Sequence, residues 1–372
     1  MITWSRNTPF EATDTLQETW TYHEDGHQKS IPVEIFLGKP IDIVSLKKEN
    51  IEDFASKIDS ISQSRKNLYQ DTSLEHVMVC PVCSSSTDTA TKIIKIYGAQ
   101  YCRCNYCTHH FVLDRLSQKA IEEFYTSNQT YQSTYADPET LQKRLKDISL
   151  PKARWTIERF EHLVGQKPKK ILDVGTGSGH FVHACRTLGI EADGLEISQS
   201  GVKFCKDIFG IKLIQKDFIT EWESLGDYDI ITFWGVIEHV PGPVIMLKTA
   251  AQLLDKKPSM IVTEVPRWAC FGTEVQKLFP TSIIRHLDPL GHIQMFTDSS
   301  LATTFLKGGF EPNAAWYFGM DYYELLVQTA HHLGDKNILE TMKSYINPIQ
   351  NALDHSRSVD TIVLAGTSTQ AE

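Results

Sequence analysis

The stretch Ile171-Leu-Asp-Val-Gly-Thr-Gly-Ser-Gly-His-Phe181 decides the fold. It begins with an apolar run typical of a buried strand and ends where helical spacing starts, so it predicts a strand, a glycine-rich turn and a helix in succession. Glycines at 175, 177 and 179 let the backbone turn sharply and let a ligand approach it closely. Residue 180 is His rather than the third glycine of the dinucleotide fingerprint, so the spacing alone does not identify the ligand.

Apolar strand-like runs and helical segments alternate through the second half of the chain. The runs lie at 171–174, 191–196, 211–214, 228–234 and 260–265. This alternation predicts βαβ units and a parallel sheet. Ligands of such sheets bind at the edge where the strands have their carboxyl ends.

Acidic residues stand at the ends of the first three of these strands. Asp173 ends the first, Glu196 follows the second, and Asp217-Phe218 follows the third. A carboxylate after the second strand is suited to the two hydroxyls of a ribose, while Asp217 and the Phe218 ring offer partners for an adenine amine and face. Together with the glycine turn, they predict a nucleoside ligand without a pyrophosphate.

A cysteine cluster precedes this region. Cys80-Pro-Val-Cys83 and Cys104-Asn-Tyr-Cys107 are two CxxC turns, each offering two thiolates, and they predict a tetrahedral zinc site. A site closed by four thiolates leaves no position for substrate, so the predicted role is structural. Cys102 alternates with Cys104 along a strand and is expected to face away. His109 and His110 are interpreted as ordinary strand residues.

The motifs divide the chain into four regions. We expect an N-terminal α+β extension over 1–75, a small zinc ribbon over 76–115 and a helical linker or lid over 116–165. The last region, 166–372, is the α/β domain, with a helical insertion at about 320–355. Within the lid, Tyr131 and Tyr135 are candidates for covering the ligand.

Composition excludes several classes of protein. The chain has 372 residues with a formal net charge of -9, which argues against a surface built to bind nucleic acid. It has no apolar run long enough to span a membrane, and its first residues lack the apolar core of a signal peptide. A cytoplasmic protein is therefore expected. The sequence does not determine its oligomeric state.

The motifs DVGTGSG, GLEIS, KDF and FWGVIEHV, in this order and spacing, resemble those of class I S-adenosylmethionine-dependent methyltransferases. With the ribbon, VIEHV and GHIQMFT, the chain is similar to zinc-ribbon methyltransferases of bacterial sugar, polysaccharide and natural-product metabolism. The resemblance implies a Rossmann-like, seven-stranded domain that binds S-adenosylmethionine. Its implied cofactor residues are Asp173, Gly175, Gly177 and Gly179 for the methionine moiety, Glu196 for the ribose, Asp217 and Phe218 for the adenine, and Trp234. Gly235 departs from the pattern, since relatives often have Asp there.

Three residues are candidates for the chemistry. Glu238 and His239 follow the fourth strand, where an imidazole suits general-base work on a hydroxyl and a neighbouring carboxylate can orient it. His292 lies after the fifth strand, where the family places an acceptor-facing loop. A purely structural role for the Glu-His pair, as a helix cap or part of the cofactor loop, stays open.

The sequence leads to one function with two alternatives. The first is methyl transfer to oxygen of a small hydroxylated acceptor, a sugar or glycan-related metabolite. The second is carbon methylation of a nucleotide-linked keto sugar, and the third is RNA methylation with the ribbon as reader. The acidic net charge argues against RNA.

Overall fold

A computed structural model describes residues 1–7, 15–39, 42–44, 46, 54–71, 74–117, 119–121, 138–254, 258–282 and 285–369. The two lid candidates Tyr131 and Tyr135 lie outside these residues. Among the helices in the described ranges, none combines the length and the apolar character needed to cross a lipid bilayer.

The elements before the glycine turn are the N-terminal strands, the strands of the ribbon and several helices. The strands are β1 (Thr3–Asn7), β2 (Thr15–Glu24), β3 (His27–Leu37), β4 (Leu74–His76), β5 (Thr91–Ile96), β6 (Ala99–Arg103), β7 (His110–Val112) and β8 (Asp114–Leu116). The helices are α1 (Phe54–Asp71), α2 (Pro138–Arg144) and α3 (Leu150–Val164), the last two joined by a π-helical turn over Leu145–Ser149.

From the glycine turn onward, strands and helices alternate as the sequence predicts. The strands are β9 (Lys170–Val174), β10 (Glu191–Leu195), β11 (Ile230–Trp234), β12 (Met260–Pro266), β13 (Gln294–Met295), β14 (Phe310–Phe318) and β15 (Thr361–Ser368). The helices are α4 (His180–Thr187), α5 (Gln199–Phe209), α6 (Phe218–Glu221), α7 (Pro243–Leu253), α8 (Phe271–Leu278), α9 (Asp298–Gly308), α10 (Asp321–Leu333) and α11 (Asn337–His355).

One mixed sheet of nine strands organises the chain, in the order β1-β2-β3-β14-β15-β12-β11-β9-β10. Strands β10, β9, β11 and β12 are parallel, and β15 runs antiparallel between β12 and β14. The run at 211–214 makes only a parallel bridge between Ile214 and Leu195 rather than a full strand. Apolar side chains fill both faces of the sheet, as expected where helices cover both faces of a parallel core.

The N-terminal strands are part of this sheet. Strand β3 pairs in parallel with β14, and β2 and β1 continue outward from it. Helix α3 covers the junction, where Trp155 packs against Phe36 of β3 and Trp316 of β14 at ring-centroid distances of 5.7 and 5.6 Å. The segment that the sequence sets apart as an extension therefore adds an edge to the main sheet.

The ribbon is likewise joined to the domain that follows it. Its strands β5, β6 and β7 form an antiparallel sheet whose fourth strand is β13, from the loop after β12. Beyond this strand pairing, the Val112 amide of β7 donates to the Ile293 carbonyl at 3.0 Å. The ribbon thus fixes a loop of the α/β domain.

Candidate functional site

The glycine turn between β9 and α4 adopts backbone conformations that favour glycine. Gly175, Gly177 and Gly179 all have φ between +57° and +77°, where a Cβ is strained. A Cβ on Gly179 would also lie 2.2 Å from Cys205 Sγ. The turn is closed by the Gly175 amide, which donates to the Leu195 carbonyl at 2.8 Å.

Glu196 lies directly against this turn. One carboxylate oxygen accepts from the Gly177 amide and the other from the Ser198 amide, both at 2.7 Å. Burial raises the pKa of Glu196, and the backbone amides oppose that rise by stabilising the charge. Because each oxygen has a second lone pair, both stay able to accept a hydroxyl. This arrangement is suited to a ribose diol at the end of β10.

Asp173 is held inside the sheet. It is 2% exposed and accepts from the Thr232 hydroxyl at 2.7 Å. Burial raises its pKa to about 7, so it carries only part of a negative charge at neutral pH. Asp173 thus cross-links β9 and β11 below the turn.

The adenine end differs from the expectation. Asp217 caps α6 by accepting from the Thr220 amide at 2.8 Å and stays exposed. The Phe218 ring, by contrast, is 3% exposed and packs 5.7 Å from the Phe233 ring. It offers no face to a stacked base, so its predicted ring contact is wrong. Ile197, 41% exposed beside Glu196, is the apolar side chain available there.

Trp234 ends β11 beside a buried ion pair. Lys152 of α3 binds Glu264 of β12 at 2.7 Å and lies 4.7 Å above the Trp234 ring. The indole Nε1 is buried without a hydrogen-bond partner among the described residues. After β3, Lys39 lies 4.7 Å from the Phe318 ring, and burial lowers its pKa to about 7. An indole N–H with no partner fits a cofactor or acceptor contact.

Glu238, His239 and His292 come together at the carboxyl edge of the sheet. His239 Nε2 lies 3.6 Å from a Glu238 oxygen, and the two imidazole centroids are 5.2 Å apart. His239 donates from Nδ1 to the Gly291 carbonyl at 2.5 Å, and His292 to the His286 carbonyl at 2.6 Å. One donor atom from each of the three residues lies within 4.8 Å of the others. We call this group the Glu-His-His cluster.

Burial controls the charge of the cluster. It lowers the pKa of His239 to about 3 and that of His292 to about 4, so both imidazoles are neutral at pH 7. It raises the pKa of Glu238 to about 8. The second Glu238 oxygen is buried without a hydrogen-bond partner in the described part of the chain. The cluster therefore combines two neutral imidazoles with a buried carboxyl oxygen that can accept or donate a hydrogen bond.

The four predicted cysteine ligands also meet. Cys80 and Cys107 Sγ are 3.6 Å apart, as are Cys83 and Cys104 Sγ. All four sulfurs lie within 4.8 Å of one another, and Cys102 is not among them. Thiolates on a tetrahedral zinc with bonds of about 2.3 Å lie roughly 3.8 Å apart. The group therefore fits a closed structural zinc site.

Comparisons with known proteins agree with this architecture. Residues 149–314 match the family model described as a methyltransferase domain. The ubiquinone biosynthesis O-methyltransferase of Bordetella parapertussis is 28% identical over 203 residues, which are 50% of this chain and 78% of the relative. That of Thiobacillus denitrificans is 27% identical over 128 residues, 32% of this chain and 52% of the relative.

Residues 149–314 of the chain therefore belong to a methyltransferase domain. Among solved structures, the plantazolicin methyltransferase BpumL in complex with SAH aligns at 14% identity over 67% of this chain and 95% of that chain, with a TM-score of 0.44. Magnesium protoporphyrin IX methyltransferase from Synechocystis PCC 6803 with bound SAH aligns at 13% identity over 68% and 100%, with a TM-score of 0.44.

Three residues of this methyltransferase were missed by the sequence analysis. Ile197 could have been predicted from the sequence, because it directly follows Glu196, the acidic residue after the second strand. Lys152 and Gln294 could not: they reach the site from α3 and β13, and their partners are more than 50 residues away along the chain.

Proposed function

We propose that this methyltransferase transfers the methyl group of S-adenosylmethionine to a hydroxyl oxygen of a small acceptor, a sugar or glycan-related metabolite. The observation that carries the proposal is the pair of neutral imidazoles, His239 and His292, beside the end of β11. Each donates from Nδ1 to a backbone carbonyl, so the single proton of each neutral ring is on Nδ1, and Nε2 is the basic nitrogen. Relatives named as O-methyltransferases support oxygen as the acceptor atom.

The cofactor half of the site follows from the glycine turn. Glu196 would bind the ribose hydroxyls, and Gly175, Gly177 and Gly179 would let the methionine moiety lie against the backbone. Asp217 and Ile197 flank the position for the adenine. When bound, the cofactor supplies an electrophilic methyl on a sulfonium, and the chain's own task is to align the acceptor with it.

The acceptor half must remove a proton, because a neutral hydroxyl is a poor nucleophile. We assign that proton to Nε2 of His239, with His292 as the alternative base. With a pKa of about 3, His239 alone is a weak base at pH 7. Glu238 is 3.6 Å away, and its ionised form, which is the minority form at pH 7 because burial raises its pKa to about 8, would stabilise the imidazolium. Glu238 and His239 would therefore take up the proton as a pair.

The location expected from the sequence, the cytoplasm, belongs to the same proposal. All eight cysteines are free of disulfides, as is usual where thiols are kept reduced. Free thiols are also the form in which the ribbon binds zinc.

The test is isotope-labelled methyl transfer into fractionated cell extract, followed by NMR of the labelled product. A labelled O-methyl group on a hydroxylated small metabolite is expected. A labelled C-methyl group on a nucleotide-linked keto sugar would replace the proposal by carbon methylation. Label in RNA would make the ribbon a reader of RNA and overturn the small-molecule assignment.

A further inference from the structure

The loop that carries His292 is built into the ribbon. Besides the pairing of β13 with β7, the Tyr101 hydroxyl of β6 donates to the His292 carbonyl at 2.9 Å. Helix α1 holds the same loop from another side, where Tyr69 donates to the Pro289 carbonyl at 2.6 Å and Arg65 binds Asp288 at 2.7 Å. Parts of the chain far from the methyltransferase motifs therefore fix His292.

Gln294 connects this loop to the turn that carries His239. Its backbone amide donates to the Glu238 carbonyl at 3.0 Å, and its side-chain Nε2 donates to the Val240 carbonyl at 3.2 Å. The two carbonyls stand on either side of His239 in the sequence. Gln294 is completely buried, so water cannot replace either bond without opening the packing.

The other end of the Gln294 amide is held by the ribbon. Its Oε1 lies 2.9 Å from Nε2 of His109, which is also completely buried. Because Gln294 Nε2 is the donor to Val240, its Oε1 must accept, which makes His109 Nε2 the protonated nitrogen. His109 Nδ1 is then the unprotonated nitrogen and lies 3.3 Å from Ser300 Oγ, whose hydroxyl also reaches the Thr297 carbonyl at 3.2 Å. The bonds from His109 Nε2 to Gln294 and from Gln294 to Val240 therefore have defined directions.

We propose that Gln294 is a positioning residue that uses His109 of the ribbon to set the His239–His292 geometry for the acceptor. This role rests on the proposed function of the cluster as the proton-accepting end of the site. Gln294 fixes the backbone on both sides of His239 and lies two residues after His292. The ribbon thereby completes the acceptor side, whereas the hydrogen bonds described for Glu196 and the glycine turn come from residues 175–198.

The first test is Gln294→Leu, which keeps the volume and removes the side-chain bonds. We expect kcat to fall roughly 10- to 100-fold, since misplacement of about 1 Å costs that much, while the affinity for S-adenosylmethionine stays unchanged. Gln350→Leu is the matched control: Gln350 is 3% exposed and its amide bonds to Tyr322 and Asp354, away from the cluster. If both variants lose stability and kcat equally, Gln294 is only a packing residue.

The second test is rescue by Gln294→Glu. A protonated Glu accepts from His109 and donates to Val240 as Gln does, whereas a carboxylate only accepts. Activity relative to the wild type at the same pH should therefore be restored as the pH falls. A relative activity that is independent of pH would contradict the directed bonds inferred for Gln294.

A third readout does not need turnover. Histidine NMR titration, with His239 and His292 signals assigned by their loss in the corresponding Ala variants, should show altered shifts in Gln294→Leu and unchanged shifts in Gln350→Leu. If transfer to hydroxyls is never found but these shifts change, the proposed function fails and the positioning role stands. If transfer is found but the shifts and kcat are unaffected, the positioning role fails alone.

Discussion

The two halves of the site are assembled in different ways. The proposed cofactor half comes from consecutive βα units of one segment, from Asp173 to Asp217. The acceptor half joins the turn after β11, the loop before β13, helix α1 and the ribbon. Site residues that lie close together in the sequence can be recognised from motifs, whereas residues that come from distant segments are brought together only by packing. It follows that damage to the ribbon should remove transfer without removing cofactor binding.

The largest expected effect is that of Cys104→Ser. Loss of one thiolate should release the zinc and unfold the ribbon, because structural zinc supplies about 10–16 kcal/mol to small zinc domains. The wild type should hold one zinc per chain by elemental analysis after dialysis. The variant should lose both zinc and measurable transfer, yet still bind S-adenosylmethionine in calorimetry.

Cys102→Ser is the control for that experiment, since Cys102 is completely buried and outside the four-sulfur group. It should keep its zinc. Zinc retained in Cys104→Ser but lost in Cys102→Ser would reverse the ligand assignment. A second zinc in the wild type would place an ion in the Glu-His-His cluster.

The next largest effect is that of His239→Ala. Turnover should fall about 10²–10⁴-fold, the usual contribution of a positioned base, with cofactor affinity near that of the wild type. The control is His355→Ala, an exposed histidine on α11. A parallel fall in affinity and turnover would make His239 part of the cofactor loop. Loss of transfer in His292→Ala alone would move the base to the later loop.

Glu196→Ala tests the opposite half. It removes the acceptor for two ribose hydroxyls, and hydrogen bonds to a charged group contribute about 1.5–3 kcal/mol, so calorimetry should show affinity for S-adenosylmethionine weakened roughly 10- to 100-fold. Turnover at saturating cofactor should stay near the wild-type value. Glu191→Ala, an exposed carboxylate at the start of β10, is the control. Equal affinities of wild type and Glu196→Ala would remove the ribose assignment.

The smallest expected effect is a pH dependence from Glu238. Burial raises the pKa of Glu238 to about 8, so its ionised fraction grows as the pH rises through that value. If the carboxylate stabilises the imidazolium of His239, turnover should increase about tenfold between pH 7 and pH 9. Glu238→Gln should lose this rise, and a rise that persists in this variant would assign it to another group.

Sequence alone predicted most of the fold and the proximity of Glu196 to the glycine turn. The sequence predicts the surroundings of the glycine turn, Asp173 and Glu196. Each of them lies within a few residues of its partners or on a neighbouring strand. The four cysteines are also readable, since CxxC turns define metal geometry locally.

The remainder depends on contacts that no local pattern records. Phe218 has the residue type for stacking on adenine, but the demand for apolar burial placed its ring against Phe233 instead. In the sequence, Gln294 has the pattern of an ordinary strand residue. Its contact with His109 arises only from the pairing of β13 with β7. The N-terminal strands join the main sheet through β14, whose residues are about 280 positions later in the chain.

This last pairing has a consequence for synthesis of the chain. Strand β3 can pair with β14 only after β14 has left the ribosome. At 5–20 residues per second, β14 emerges roughly 15 to 60 seconds after β3. Until then the hairpin of β2 and β3 presents an unpaired edge, with Ile31, Val33 and Ile35 that are buried in the finished protein, and such edges invite pairing with other chains. Nascent chains stalled before β14 should therefore be bound by chaperones and aggregate more readily than chains stalled after β15.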